Sequence, residues 1–266
     1  MPHDNLIETI LEHKRKEVSF AKKLVPENIL RDTATRTGPV RSLKTALTST
    51  GHKARVIAEI KRSSPKAMLK PINFDLAKIA KGYEAGGAVA LSILTDTRFF
   101  SGAPIYIPMA RSEVAIPVLR KDFIIDSWQV AETAALGADA ILLMATCLDG
   151  EQLVDLYGFA MELGLEPLIE IHTEDDWKRV EPLKPAIVGI NNRNFHSKDL
   201  SVNTDTTIQL APVLPDDVVV VSESGIAGVA DIEQLIEVGV DGFLIGTAFM
   251  TKEDPGASLA NTLSQL

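Results

Sequence analysis

Apolar residues in this chain fall into short dense runs, separated by longer stretches where they recur every three or four positions. The dense runs, 55–61, 89–95, 117–121, 140–146, 167–172, 186–191, 218–223 and 242–246, predict strands. Most are apolar through nearly their whole length, as parallel strands covered on both faces are. The stretches between them, among them 75–85, 127–136, 150–163 and 230–238, predict amphipathic helices. A repeated join marks the passage from helix to strand. Gly87-Ala-Val-Ala-Leu91, Gly137-Ala-Asp-Ala-Ile141 and Gly239-Val-Asp-Gly-Phe243 each set a helix-ending glycine before an apolar run. Eight strand–helix units without a break predict a closed (βα)8 TIM barrel. A doubly wound open sheet is the alternative, but the glycine-rich turn that usually follows its first strand is missing.

Upstream, Leu6, Ile7, Ile10 and Leu11 predict a helix over 3–24, with His13 to Lys16 and Lys22-Lys23 as a solvated basic face. Pro26 and the stretch 33–39 break that pattern, and 42–49 offers one more short helix. The expected organisation is a single domain over 1–266, made of an N-terminal helical extension (1–50) and a barrel core (54–250).

The polar residues that interrupt the strands change the picture from scaffold to site. In Arg55-Val-Ile-Ala-Glu-Ile-Lys61 the side chains of 57, 59 and 61 share one face, so Glu59 and Lys61 point together into whatever that face lines. Charges leave water at a cost unless they are paired or functional. The same signature recurs at the C-terminal ends of other strands: Lys121, Glu170, Asn191 with Arg193, and Glu223 with Ser224. A barrel carries its active site at that end. Lysines and glutamates crowded there can shift one another's pKa values, as a general acid and base near neutral pH require. Ser222-Glu-Ser-Gly225-Ile-Ala follows the seventh strand and Leu244-Ile-Gly246-Thr247 closes the eighth, where barrels cradle phosphate with backbone N–H groups. His172, two residues beyond Glu170, fits a structural or supporting imidazole better than a catalytic one.

Composition narrows the partners. With 45% apolar and 24% charged residues in 266, the chain can bury a large core. A net charge of −9 argues against general nucleic-acid binding, though not against a small anion held by local groups. The apolar runs are too short to span a membrane, and the N-terminus lacks the pattern of a signal peptide. The single cysteine, Cys147, follows Leu142, Leu143, Met144 and Ala145 and reads as a packing residue; one thiol suits a reducing cytoplasm. No Cys/His cluster, HExxH, Walker or dinucleotide motif is visible, so neither a metal nor a cofactor is predicted. The expected partner is a small phosphorylated substrate, met by a monomer or weak homo-oligomer with no nucleic acid and no membrane.

One set of segments, in order, closely resembles a known family: Ala58-Glu-Ile-Lys61 with Ser64-Pro65, Ser92-Ile-Leu-Thr95, Leu119-Arg-Lys-Asp-Phe123, Gly137-Ala-Asp139 with Leu142-Leu143, Leu168-Ile-Glu-Ile171, Gly189-Ile-Asn-Asn-Arg193 and Ser222-Glu-Ser-Gly-Ile226. The family is indole-3-glycerol phosphate synthase, and the resemblance runs from about residue 54 to 250. It implies N-terminal helices over the barrel mouth and ring closure of 1-(2-carboxyphenylamino)-1-deoxyribulose 5-phosphate with loss of CO2 and water. It implies Lys121 as general acid, Lys61 as holder of the substrate carboxylate with a share in acid duty, and Glu170 as general base. Glu59 and Asn191 would orient the reacting groups, with Glu223 and Arg193 as electrostatic support and Ser224 beside the substrate. Phe100, Phe123, Leu142 and Phe195 would wall the aromatic ring, and Ser64, Gly225, Gly246 and Thr247 would bind phosphate. Along the sequence Lys61 has an acid two residues before it and Lys121 does not, so Lys121 is expected to be the less ion-paired lysine. The stretch Lys66-Ala-Met-Leu-Lys70 lacks the glycine usual in that family, which implies a stiffer loop. Another phosphate-binding barrel enzyme and a silent phosphosugar-binding relative are the rival readings; neither accounts for both lysines and the glutamates together.

Overall fold

The computed structural model describes residues 6–34, 41–51, 53–64, 67–68, 74–194 and 201–266, with backbone alone for 64, 67 and 68. Among the described residues, β1 (Arg55–Ile60), β2 (Ala90–Leu94), β3 (Val118–Lys121), β4 (Ala140–Met144), β5 (Glu166–Ile171), β6 (Ile187–Asn191), β7 (Val219–Glu223) and β8 (Gly242–Ile245) are parallel, each paired with its sequence neighbour. The pairing of β1 with β8, Arg55 opposite Gly242, closes the barrel. The predicted fold class is the observed one.

Alternation along each strand divides the core in two. Val56, Ala58 and Ile60, with their counterparts on the other strands, point outward into a shell formed with the surrounding helices. Ile57, Leu119, Leu142, Leu168, Val221 and Leu244 point inward and fill the barrel. The helices that follow the strands include α4 (Leu76–Ala85), α5 (Thr97–Phe100), α6 (Tyr106–Arg111), α7 (Ser127–Ala135), α8 (Gly150–Glu162), α9 (Glu174–Val180), α10 (Asp205–Leu210), α11 (Val229–Glu237) and, after β8, α12 (Thr247–Met250) and α13 (Pro255–Ser264). The glycine joins behave as their position requires: Gly87, Gly137 and Gly239 have φ of 96°, 82° and 92°, the left-handed turn that ends a helix and frees the chain to enter the next strand.

The N-terminal segment departs from expectation in three ways. A helix not anticipated after Pro26, α2 (Glu27–Ala34), packs on α7, and its Arg31 lies over the Phe159 ring of α8. The helix α1 (Leu6–Leu24) does reach the C-terminal mouth, but α3 (Leu43–Thr48) lies at the other end of the barrel. There Leu47 abuts Gly242, the Lys44 N–H donates to Glu166, and the Arg41 N–H donates to Asp139, all at the starts of strands. So the extension covers the mouth with one helix and closes the floor with another. Finally, the basic face of α1 is not wholly solvated, because Lys14 is buried. It falls on the stripe of Ile7, Ile10, Leu11 and Val18, at helical spacing, so the helix that buries those residues buries it too.

Candidate active site

Strand ends build the mouth from the inward phase. One cavity there, about 870 Å³ counting its open side, is lined by Glu59, Lys61, Phe100, Lys121, Phe123, Leu142, Glu170, Asn191, Arg193, Ser224, Gly225, Gly246 and Thr247. Leu94, Met144 and Leu244 add apolar wall that the sequence had not singled out. Glu223 does not line the cavity; it is fully buried directly behind Lys121. Phe195 and the side chain of Ser64 lie outside the described residues, as does the glycine-free stretch 66–70 apart from the backbone of 67 and 68. That backbone pairs antiparallel with Ser63 and Ser64.

Two lysine–carboxylate pairs occupy the base of this cavity, at the mouth end of the barrel. Lys61 pairs with Glu59, as their shared strand face requires. Lys121 pairs with Glu223 and stands 3.7 Å from Glu170. The expectation that Lys121 is the less ion-paired lysine is therefore wrong: its partners come from across the barrel, where strand spacing gives no sign of them. Burial alone would lower the Lys121 pKa, but Glu223, Glu170 and Glu59 outweigh it and hold the ammonium well above its ordinary value. Burial also acts first on the acids. It raises Glu170 beyond what Lys121, Asn191 and Glu223 pull back. It raises Glu223 to about 7, with Lys121 opposing and Glu170 adding to the rise. At Glu59 burial is overcome by Lys61 and Lys121, and the carboxyl ends below its ordinary value. Carboxylates in one pocket are thus driven apart, one fixed as an anion and two poised nearer neutrality.

Two glycines make room for these acids. A Cβ on Gly246 would collide with the Glu59 carboxylate, and one on Gly189 with that of Glu223. Gly246 thus serves the acid–base pairs as well as the turn into α12, whose first N–H groups have no partner within the helix. Ser224 and Gly225 both have positive φ, 66° and 79°. Their loop is tied down by Asn192, which sequence reading missed. Its amide donates to Ser222 Oγ at 3.1 Å and the Ser224 carbonyl at 3.0 Å, and its carbonyl accepts from Thr207. Asn192 is the outward neighbour of Asn191, and a buried amide at a strand end was the available signal.

The aromatic side of the mouth is formed by Phe100 and Phe123, ring centroids 6.1 Å apart and tilted by 39°. His172 lies outside the cavity: its Nε2 is 3.6 Å from Glu170 Oε1, beyond hydrogen-bond length, and its Nδ1 is 2.9 Å from Thr146 Oγ1. Cys147 is half-buried, and burial pushes its thiol up to about 12, which suits packing and not nucleophilic work.

The family model described as indole-3-glycerol phosphate synthase matches residues 7–262. The chain belongs to the indole-3-glycerol phosphate synthase family. Two relatives of that name are similar along their whole length: the protein of Laribacter hongkongensis, 42% identical over 97% of this chain and 98% of its own, and that of Legionella pneumophila, 41% identical over 98% and 99%. A thiamine phosphate pyrophosphorylase structure from Pyrococcus furiosus covers 84% of this chain and 98% of its own with a TM-score of 0.58, at 15% identity, a likeness of fold alone. The activity of the indole-3-glycerol phosphate synthase family is a decarboxylating ring closure in tryptophan biosynthesis, and the chain is an enzyme of that carboxy-lyase class.

Proposed function

We propose that the mouth described above performs this ring closure on 1-(2-carboxyphenylamino)-1-deoxyribulose 5-phosphate with the following division of work. Lys121 protonates the ketone oxygen, which becomes a hydroxyl, as the ring carbon attacks the carbonyl carbon. Lys61 holds the ring carboxylate, whose departure as CO2 leaves its electron pair in the ring system. Glu170 then takes the proton whose removal accompanies loss of the hydroxyl, which leaves as water with a proton from Lys61, completing the indole. Glu59 and Asn191 orient the reacting groups, and Glu223 and Arg193 supply compensating charge around them. Phe100, Phe123, Leu142 and Phe195 wall the ring, Ser224 lies beside the ribulose chain, and Ser64, Gly225, Gly246 and Thr247 take the phosphate.

The observation that carries this proposal is the placement of Lys121 between Glu223 and Glu170 at the foot of an aromatic slot. A flat apolar ring, its carboxylate and a ketone need an apolar wall, a cation and a proton donor within one cavity. Phosphate binding alone needs none of these carboxylates. We further take residues 1–266 to work as one domain, in the cytoplasm, as a monomer or weak homo-oligomer. Among the described residues no helix is long and apolar enough to cross a membrane. The lone thiol suits a reducing compartment.

Incubation with the carboxyphenylamino-deoxyribulose phosphate, followed by indole fluorescence, tests the proposal. Product should appear at a rate proportional to enzyme. Absence of product above background would refute it.

A further inference from the structure

Lys14 is the one lysine of α1 with its side chain fully withdrawn from solvent, 1% exposed. Its ammonium lies 3.0 Å from Asp96 Oδ2, 3.0 Å from Asp122 Oδ1 and 3.1 Å from Glu17 Oε1. The contact to Asp96 is ionic and not an aligned hydrogen bond. Burying an ammonium costs several kcal/mol in general unless partners compensate it. Two buried aspartates provide that compensation, and the Lys14 pKa is raised although burial alone would lower it. Neither aspartate belongs to the proton-transfer set. Each instead holds the backbone of one aromatic wall.

Asp96 follows β2 and caps α5. Its Oδ1 accepts the Phe99 N–H at 2.7 Å and the Phe100 N–H at 3.3 Å, and its carbonyl accepts the Gly102 N–H at 2.8 Å. Asp122 follows Lys121. Its Oδ1 accepts the Phe123 N–H at 2.8 Å, and its Oδ2 accepts from Thr95 Oγ1 at 2.5 Å and from Arg120 at 3.3 Å. Phe100 and Phe123 therefore hang from separate loops whose anchoring carboxylates meet at one ammonium. A second residue of α1 touches the same unit, since His13 packs edge-on against Phe99 with centroids 5.8 Å apart. Removing Lys14 would leave two buried carboxylates facing each other, with Arg120 the remaining cation paired to Asp122 among the described residues, and like charges in low dielectric push apart.

We propose that Lys14 is a positioning residue: the N-terminal helix uses one ammonium, bound to Asp96 and Asp122, to set the spacing of the Phe100 and Phe123 walls and so the fit of the substrate's aromatic ring. This rests on Phe100 and Phe123 being the ring-binding walls, as proposed above. Lys14 touches neither substrate nor reacting atoms. Gly225, Gly246 and Thr247, the part of the phosphate end formed after β7 and β8, have no share in the Lys14 cluster and serve as an internal control.

The test compares wild type, Lys14→Met, Lys14→Arg and Asp96→Asn, measuring kcat and KM for the carboxyphenylamino-deoxyribulose phosphate and inhibition by inorganic phosphate. Lys14→Met should raise KM by about tenfold, the worth of a slot that has lost part of its fit. Phosphate inhibition should stay within about twofold of wild type. Lys14→Arg, which restores charge with a different shape, and Asp96→Asn, which keeps the cap acceptor but drops its charge, should fall between. If Lys14→Met does not fold, those two variants carry the test through the same split between KM and phosphate inhibition. Unchanged KM in the folded variants would overturn the inference, and so would KM and phosphate inhibition weakening in parallel, which marks general loosening. A wild-type chain that forms no indole product would instead remove the ring-binding reading, and this inference with it.

Discussion

Lys121 and Glu223 form an ion pair with the carboxylate on the buried side and the ammonium facing the cavity. The pair keeps Lys121 protonated while leaving its outer face free to meet a ketone oxygen. Replacing Lys121 by Ala should lower kcat by roughly 10²–10⁴-fold, the usual reach of general acid catalysis, with little change in KM. Steady-state kinetics check this, and full kcat in the variant would end its role as the acid.

Lys61 is paired to its strand neighbour Glu59 and is assigned to the substrate carboxylate. Loss of ground-state binding appears in KM, so Lys61→Ala should raise KM at least as strongly as it lowers kcat. A pure kcat defect would exchange the two lysines' roles.

Glu223→Gln keeps the shape of the buried side chain and removes its charge. Lys121 then loses its foremost stabilising anion while burial continues to disfavour the ammonium. The basic limb of kcat/KM against pH should therefore move to lower pH than in wild type. A basic limb that stays in place would show that the pair does not set the acid's protonation.

Glu170 and Glu223 both have pKa values raised above the ordinary 4.5, Glu223 to about 7. Activity that needs ionised Glu170 should fall on the acid side at a pH above the usual carboxylate range. Stability moves the other way. A carboxyl whose folded pKa exceeds its unfolded value binds more protons in the folded state between the two, so stability declines as pH rises from 4.5 to about 7. Glu59 and Asp122 are shifted downward, and their contribution is lost only at still lower pH. Thermal melts across that window should show the decline, and Glu223→Gln should flatten it.

Glu170→Gln preserves size and hydrogen bonding but not basicity. Ring closure and CO2 release should then outrun indole formation in a single turnover, or an intermediate should accumulate. Equal slowing of both signals would contradict this order of steps.

Gly246→Ala would drive a methyl into Glu59. It should therefore impair turnover through the Glu59–Lys61 pair as well as phosphate binding. In a double-mutant cycle with Glu59→Ala the two losses should be strongly non-additive. Additive losses would confine Gly246 to the phosphate.

Much of the site was legible because each polar residue ends an apolar run at a fixed phase, which placed Glu59, Lys121, Glu170, Asn191 and Glu223 inward on one rim. Partners along a strand were legible too, as with Glu59 and Lys61. Partners across the barrel were not: the Lys121–Glu223 contact joins residues 102 positions apart, and pattern reading has no register for such pairs. Lys14 is the opposite case. Its charge signals solvent, whereas its spacing from Ile7, Ile10, Leu11 and Val18 puts it on the buried stripe. The floor position of α3 rests on contacts such as Leu47 with Gly242, which lie far apart in the chain.

The division of charges around the barrel has a consequence for how the enzyme comes into being. Both lysines of the cavity base enter on β1 and β3, whereas Glu170 and Glu223 enter on β5 and β7. During synthesis the first half of the chain emerges with Lys121 lacking the carboxylates that later surround it, and burying an ammonium in that state is unfavourable. The ammonium stays hydrated until the second half arrives to neutralise it. Closing the loop between such distant segments is the slow part of building a barrel. Final assembly and arming of the acid are thus a single event: a half-made barrel lacks Glu170 and Glu223, and with them the buried ion pair that the finished site places beneath its acid.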